Sequence, residues 1–234
     1  MKVFAISDLH LSLEVEKPMD VFGGAWENYT EKIRVNWQNV VGEDDIVLVA
    51  GDISWAMKLE ETKKDLEFLG SLNGTKIIIK GNHEYWWNSI SAVRNLLPEN
   101  TLALQNDAVR IGSFVFAGTR GWTVPEGAND INFTEHDQKM YEREKIRLKL
   151  TLDDMKRKRQ EGDITICLIH YPPFNSKREE SYFTELFETY GVDIVVYGHL
   201  HKSLGRFDRV TTKNNVKYYL TSADLIDMKP VEII

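Results

Sequence analysis

The chain has one cysteine, six prolines and no apolar run approaching the ~20 residues that a membrane-spanning helix requires. A single thiol cannot close an internal disulfide. Cys167 lies inside the apolar run Ile164 to Ile169, where a buried, inert thiol is expected. Met1-Lys2 leads straight into a four-residue apolar pattern rather than the h-region of a signal peptide, so cytoplasmic residence without a membrane partner is the expectation. Positive charge is also short. The 29 Lys and Arg against 36 Asp and Glu leave a formal charge of −7, which offers nucleic acid or an anionic membrane no general attraction. Internal repeats, low-complexity stretches and long linkers are absent, so residues 1–234 are expected to form one domain with a substantial core.

Histidine is scarce as well, but it is not scattered. Of six histidines, five stand just past short apolar runs. Val3 to Ile6 precedes Asp8-Leu9-His10, and Ile46 to Val49 precedes Gly51-Asp52. Lys76 to Ile79 precedes Gly81-Asn82-His83-Glu84, and Ile164 to Ile169 precedes His170. Asp193 to Tyr197 precedes Gly198-His199-Leu200-His201. These runs are rich in Val and Ile with little polar alternation, which is how strands buried on both faces read.

Helical patterns lie between the runs. Glu31 to Val41 sets Ile33, Trp37, Val40 and Val41 on one face. Leu59 to Leu72 does the same and stops at Gly74, and Trp86 to Leu97 stops before Pro98. The longest pattern runs from Thr134 to Glu161, with Tyr141, Leu148, Leu152 and Met155 as its stripe. Alternation of strands and helices predicts an α/β fold with a largely parallel sheet. Hairpin-like runs over Thr101 to Thr119, turning at Ile111 to Phe114, and over Leu204 to Leu220, turning at Lys213 to Asn215, predict a second sheet packed against the first.

In open α/β sheets ligands bind beyond the carboxyl ends of the strands, so residues far apart in sequence converge on one rim. Asp and His together suit divalent Mn, Zn, Fe or Co, and the absence of cysteine from the motifs argues against a structural zinc site. Two cations roughly 3.5–4 Å apart form a clamp for a phosphoryl group and need a bridging carboxylate. Asp52, on the turn after a strand, is the candidate bridge. Asp8, His10, Asn82, His170, His199 and His201 would complete the two sets. Gly51, Gly81 and Gly198 precede ligands where the chain leaves a strand abruptly, and a Cβ is expected to be forbidden there.

In this order the motifs resemble the calcineurin-like metallophosphoesterases over residues 1–205, with no ligand missing. The resemblance implies a four-layer α/β/β/α sandwich of two mixed β-sheets flanked by helices. It implies that Asp8, His10, Asp52 and His201 bind one metal, and that Asp52, Asn82, His170 and His199 bind the other. His83 would contact the phosphate and protonate the leaving oxygen, and Glu84 would orient His83. The reaction implied is in-line attack of metal-bound hydroxide on a phosphomonoester or phosphodiester. Mn2+ leads the cofactor expectation, with Fe, Zn, Co and Ni fitting the same ligand list. A nuclease on the same site is the alternative, and an inactive binding scaffold a weaker one. A related group acting on lipid-linked nucleotides carries Arg where His83 stands, which turns the expectation away from lipid substrates. The partner expected is a small phosphoester.

Other residues remain open. Arg120, between a predicted strand and Gly121, reads equally as a phosphate ligand or a surface ion pair. Trp55 follows the Gly51-Asp52 turn and is a candidate wall of the substrate pocket. One of Trp86 and Trp87 is expected in the core, and the other is a further candidate for that wall. His136 and Arg178 are expected in solvent. The segment between Trp122 and Thr134 has no counterpart in the motif set and is read as a lid. Residues 139–161 carry nine Lys and Arg against five Asp and Glu, a basic face expected to be solvated.

Overall fold

A computed structural model describes residues 1–17, 19–127, 130–205 and 207–234. Four parallel strands, β1 (Val3–Ile6), β2 (Ile46–Val49), β3 (Thr75–Ile79) and β4 (Thr101–Leu104), lie side by side in one sheet. The two-residue strand Val231–Glu232 closes it antiparallel to β1. The second sheet is built from β5 (Asp107–Ile111), β6 (Phe114–Thr119), β7 (Ile164–Ile169), β8 (Ile194–Tyr197), β9 (Val210–Lys213) and β10 (Val216–Leu220). Its order is β5-β6-β7-β8-β10-β9, parallel through β6, β7, β8 and β10 with antiparallel edges.

The apolar runs bury both faces because each face meets a different layer. Along β1, Phe4 and Ile6 pack toward helices α1 (Tyr29–Val40), α2 (Lys63–Ser71) and α3 (Ile90–Leu96), whereas Val3 and Ala5 face the other sheet. Along β7, Ile166 and Leu168 face the first sheet. Cys167 and Ile169 meet α4 (Glu135–Lys158) and α5 (Tyr182–Tyr190). Two-residue alternation on the inner strands thus produces three apolar seams and four layers, the sandwich of two mixed sheets that the sequence led us to expect.

Three local readings change. The Thr101 to Thr119 stretch is not one hairpin: β4 joins the first sheet beside β3, the chain crosses at Gln105-Asn106, and only β5 and β6 pair as a hairpin in the second. The helix read from Trp86 begins four residues later, at Ile90, where Ser89 accepts the Ala92 N–H at 3.2 Å. The stretch read as one helix from Leu59 starts as a 3₁₀ turn over Leu59–Thr62 before α2. The other ends match their local chemistry. Thr134 and Asp137 cap α4 reciprocally, and Asn214 and Asn215, at φ 46° and 68°, form the tight β9–β10 turn.

Candidate metal centre

Every motif residue stands within a few positions of a strand's carboxyl end. Asp8 and His10 follow β1, Asp52 follows β2 and Asn82 follows β3, all in the first sheet. His170 follows β7, and His199 and His201 follow β8, in the second. The face-to-face sheets bring these ends together on one rim. Ligating atoms of Asp8, His10 and His201 lie within 4.8 Å of one another, and so do those of Asp8, Asp52 and His170. Asn82 Oδ1 stands 2.7 Å from His170 Nε2 and 2.8 Å from His199 Nδ1. Asp52 Oδ2 is 3.5 Å from His170 Nε2 and 3.9 Å from His10 Nε2. His10 Nε2 and His201 Nε2 face each other at 3.4 Å.

This donor set fits divalent cations. Bonds of about 2.1 Å at right angles put neighbouring ligand atoms about 3 Å apart, close to the separations around Asn82 Oδ1. The charges also fit. Burial, and then the charge of Asp52, raise Asp8 to about 6, a cost that a nearby cation removes. Burial drives Asp52 upward too, but His170, His10 and His83 outweigh it and hold that carboxyl below its ordinary value. Burial pulls His10 and His199 down to about 3, keeping both imidazoles neutral with a lone pair available. His201 is opposite: burial lowers it, yet the Asp224 hydrogen bond and the Asp8 charge carry it above its ordinary value.

Second partners orient the rings. His170 Nδ1 is 2.8 Å from the Ala50 carbonyl, which leaves Nε2 for the rim. His201 Nδ1 is 3.0 Å from Asp224 Oδ1, whose other oxygen accepts the Lys202 N–H at 2.8 Å. Sequence reading missed Asp224. Its signal was available, because Leu220 ends β10 and Asp224 therefore stands past another strand terminus on the same rim.

The backbone holds a further constraint. Asp8, His10, Asp52 and His199 all sit at positive φ, at 57°, 46°, 53° and 71°. Such left-handed conformations cost roughly 1–3 kcal/mol each and persist where surrounding structure over-determines them. Of the three motif glycines only Gly51 shares that region, at φ 94°. The other two are required for proximity instead: a Cβ on Gly81 would collide with the Asp52 carboxylate, and one on Gly198 with that of Asp8.

Glu84 has a different role from the one expected. It does not orient His83. Fully buried, it accepts the N–H groups of Asp52 at 2.9 Å, of Ile53 and Gly81 at 2.5 Å each and of Ser54 at 3.4 Å. It therefore ties the loop after β2 to the loop after β3 through main-chain donors. Burial and the Asp52 charge push it up to about 8 against those bonds. His83 takes its position from other groups. Its N–H donates to Asp52 Oδ1 at 2.9 Å, its Nε2 is 4.0 Å from Asp52 Oδ2, and its ring lies 4.4 Å from that of Trp55.

Trp55 also stacks on His10 at 4.8 Å, so it walls the centre from the first-sheet side. Trp86 and Trp87 both belong to the core, so neither is the candidate wall. Arg120 does not reach the rim ligands with its side chain. Only its carbonyl does, accepting the His170 N–H at 2.9 Å, while the guanidinium lies over Trp122 at 4.7 Å and beside the buried Glu144. Arg178 pairs with Asp208 at 2.8 Å, and His136 is exposed. The segment read as a lid includes Ala128 and Asn129, which lie outside the described residues. Its nearer part, Thr123, Val124 and Glu126, lines a cavity of about 340 Å³ that reaches His199.

Comparison with known proteins identifies the family and the fold. The calcineurin-like phosphoesterase family matches residues 1–203. An uncharacterized metallophosphoesterase of Helicobacter pylori is 24% identical over 86% of this chain and 44% of its own length. A probable cyclic nucleotide phosphodiesterase of Coxiella burnetii is 23% identical over 86% of this chain and 76% of its own. An uncharacterized protein of Methanocaldococcus jannaschii is 33% identical over 36% of this chain and 47% of its own, so the chain spans about half the length of two of these relatives or less. Among solved structures, a phosphopantetheinyl hydrolase of Mycobacterium tuberculosis superposes with a TM-score of 0.60 at 16% identity, covering 100% of this chain and 95% of that one. A protein of Thermus thermophilus gives 0.60 at 14%, covering 98% and 96%; both likenesses are of fold alone. The family match covers residues 1–203 of the 234, including the seven candidate metal ligands, and the chain belongs to the calcineurin-like phosphoesterase family.

Proposed function

We propose that the protein hydrolyses a small phosphomonoester or phosphodiester with two divalent cations, Mn2+ first among them. Asp8, His10, Asp52 and His201 would hold one, and Asp52, Asn82, His170 and His199 the other. The observation that carries this reading is the meeting of two buried carboxylates, one amide oxygen and four imidazoles from both sheets at one rim. Cations there would supply Lewis acidity toward phosphoryl oxygens and a nucleophile drawn from water.

The chain's own residues do the rest. Asp52 Oδ2 lies between His10 and His170, one from each ligand set, which supports it as the shared ligand. Asp8 belongs to both close donor groups, so its charge also serves the pair. His83 has a more exposed side chain than His10, His170 or His201, at 32%. It is free to donate a proton to a leaving oxygen. Burial holds it below its ordinary value, and a phosphoryl dianion alongside would lift it back. Such a donor is worth ~10²–10⁴-fold in rate.

The basic face of α4 lends little to the nuclease reading. Lys145, Lys149, Arg157 and Lys158 are each paired with an acidic neighbour three or four residues away. The relative described as a cyclic nucleotide phosphodiesterase favours including diesters in the search. The test is hydrolysis by metal-stripped protein reloaded with Mn2+, on matched chromogenic mono- and diesters. Metal-dependent turnover of either substrate is expected. Two bound cations with no turnover of any phosphoester would sink the proposal.

A further inference from the structure

A second cavity, of about 200 Å³, opens where the two sheets meet beside α4. Lys80 and Arg120 enter it one residue past the ends of β3 and β6, and Arg143 and Arg147 enter from α4. One carboxylate, Glu144, stands among these four cations, within a chain whose net charge is −7. Glu144 is fully buried, and Arg147 alone reaches it within hydrogen-bond range, at 2.6 Å. Arg120 and Arg143 face the same oxygen from 3.6 and 3.8 Å, and Arg120 Nε is buried with no partner. Lys80 Nζ donates to a neutral group, the Trp87 carbonyl, at 2.8 Å.

The polar side chains of the wall are turned the same way. Gln105 Oε1 accepts from Trp87 Nε1 at 2.7 Å, and Asn106 Oδ1 accepts from Thr119 Oγ1 at 2.9 Å. The acceptor ends of both amides are therefore in use, and their NH2 groups remain as donors. Burial, and then the charge of Arg147, pull Arg143 below its ordinary value, a sign of like charges crowded together. A single carboxylate needs one forked guanidinium partner for structure. Glu144 Oε2 is buried without a partner, so the carboxylate draws on the cations through Oε1 alone, and three guanidiniums and an ammonium against one carboxylate leave a positive surplus that an anion would offset.

We propose that the cavity formed by Lys80, Arg120, Arg143 and Arg147 binds a phosphate-class oxyanion, separately from the metal centre. Its volume suits a phosphoryl group, and guanidinium forks match phosphate oxygens in pairs. None of the residues assigned to the two cations lines this cavity, although Lys80 stands two positions before Asn82 and the Arg120 carbonyl holds the His170 N–H. Two sources share the chemistry: a second phosphoryl group on the substrate, or free inorganic phosphate.

The experiment is inorganic phosphate binding to the full chain, with and without added Mn2+, followed by calorimetry, for wild type, Asp52→Asn, Arg143→Ala/Arg147→Ala and the combination of all three substitutions. Retention of one phosphate equivalent by Asp52→Asn, with at least about tenfold weaker binding when the two arginines are also removed, is expected. Arg143→Glu, at a half-exposed position, repeats the test should the double variant fail to fold. No phosphate bound by Asp52→Asn, or binding unchanged by either arginine variant, would overturn the proposal. KM then separates the sources. A rise confined to substrates bearing two phosphoryl groups identifies the substrate, and equal behaviour of singly and doubly phosphorylated substrates identifies free phosphate. Because Asp52→Asn carries the key measurement, the cavity stands or falls apart from the hydrolase reading.

Discussion

The two sheets contribute to the rim in different ways. The first supplies both carboxylates, the amide and one imidazole, on loops fixed mainly by main chain: Asp8, His10 and Asp52 at positive φ, with the Glu84 carboxylate gathering N–H groups from two of those loops. The second supplies only imidazoles: two are fixed by hydrogen bonds from the far ring nitrogen, to the Ala50 carbonyl and to Asp224, and the third, His199, shares the positive φ of the first-sheet residues. The carboxylate charge thus comes from one layer, and the other contributes imidazoles alone. Changes behind the histidines are therefore expected to cost less than changes in the loops that carry the carboxylates.

The sharpest way to break this contrast is Asp52→Asn, which removes charge from the first-sheet side; Mn2+-dependent turnover should vanish and metal content should fall, measured by steady-state assay and elemental analysis. Next in size, His83→Ala should lower kcat by ~10²–10⁴-fold while both cations stay bound. Loss of the metals with His83 would move that histidine into the ligand set. Glu84→Ala should follow. It orphans main-chain donors of both loops, at a cost of about 3 kcal/mol or more in denaturant unfolding, even without metal. Asp224→Asn tests the other sheet and should be gentler: a ~10–100-fold loss of metal affinity with little change in fold stability.

The smallest effect is read by pH. In metal-free protein, His10 and His199 should stay neutral down to about 3, whereas His201 should protonate above its ordinary value. Between the ordinary 6.5 and about 3, the unfolded chain takes up protons at His10 and His199 that the folded chain refuses. Those two positions therefore withdraw stability as pH falls through that window, whereas His201 adds stability below the ordinary 6.5 that is lost as pH rises through its higher folded value. Imidazole NMR titration checks the order; His201 protonating last would invert the comparison.

Much of the fold and of the rim is legible in the sequence. A strand buried on both faces announces itself as a short Val- and Ile-rich run, and its end is where a polar residue first appears, so position alone marks Asp8, Asp52 and His170. Glu84 and Asp224 are harder to read because their partners are not sequence neighbours. A carboxylate that serves main-chain N–H groups looks the same in sequence as one that serves a histidine. Trp86 and Trp87 mislead for the opposite reason: two aromatics in a row read as the start of a helix, whereas tertiary packing buries both before the helix begins at Ile90. The split between β4 and β5 is hidden because a two-residue crossing between sheets resembles a hairpin turn in composition.

The origin of the ligands in two layers has a consequence for the whole fold. Any cation coordinated by Asp8 and His201, or by Asp52 and His170, adds a further tie between sheets that already meet through the apolar seam and a few hydrogen bonds at the rim, such as the Ser7 N–H to the Thr221 carbonyl at 2.8 Å. Binding then acts as a removable cross-link, adding RT ln(1 + [M]/Kd) to the unfolding free energy, about 2.7 kcal/mol when the free metal stands at 100 times its Kd. The melting temperature of this chain thereby becomes a gauge of the metal supply around it.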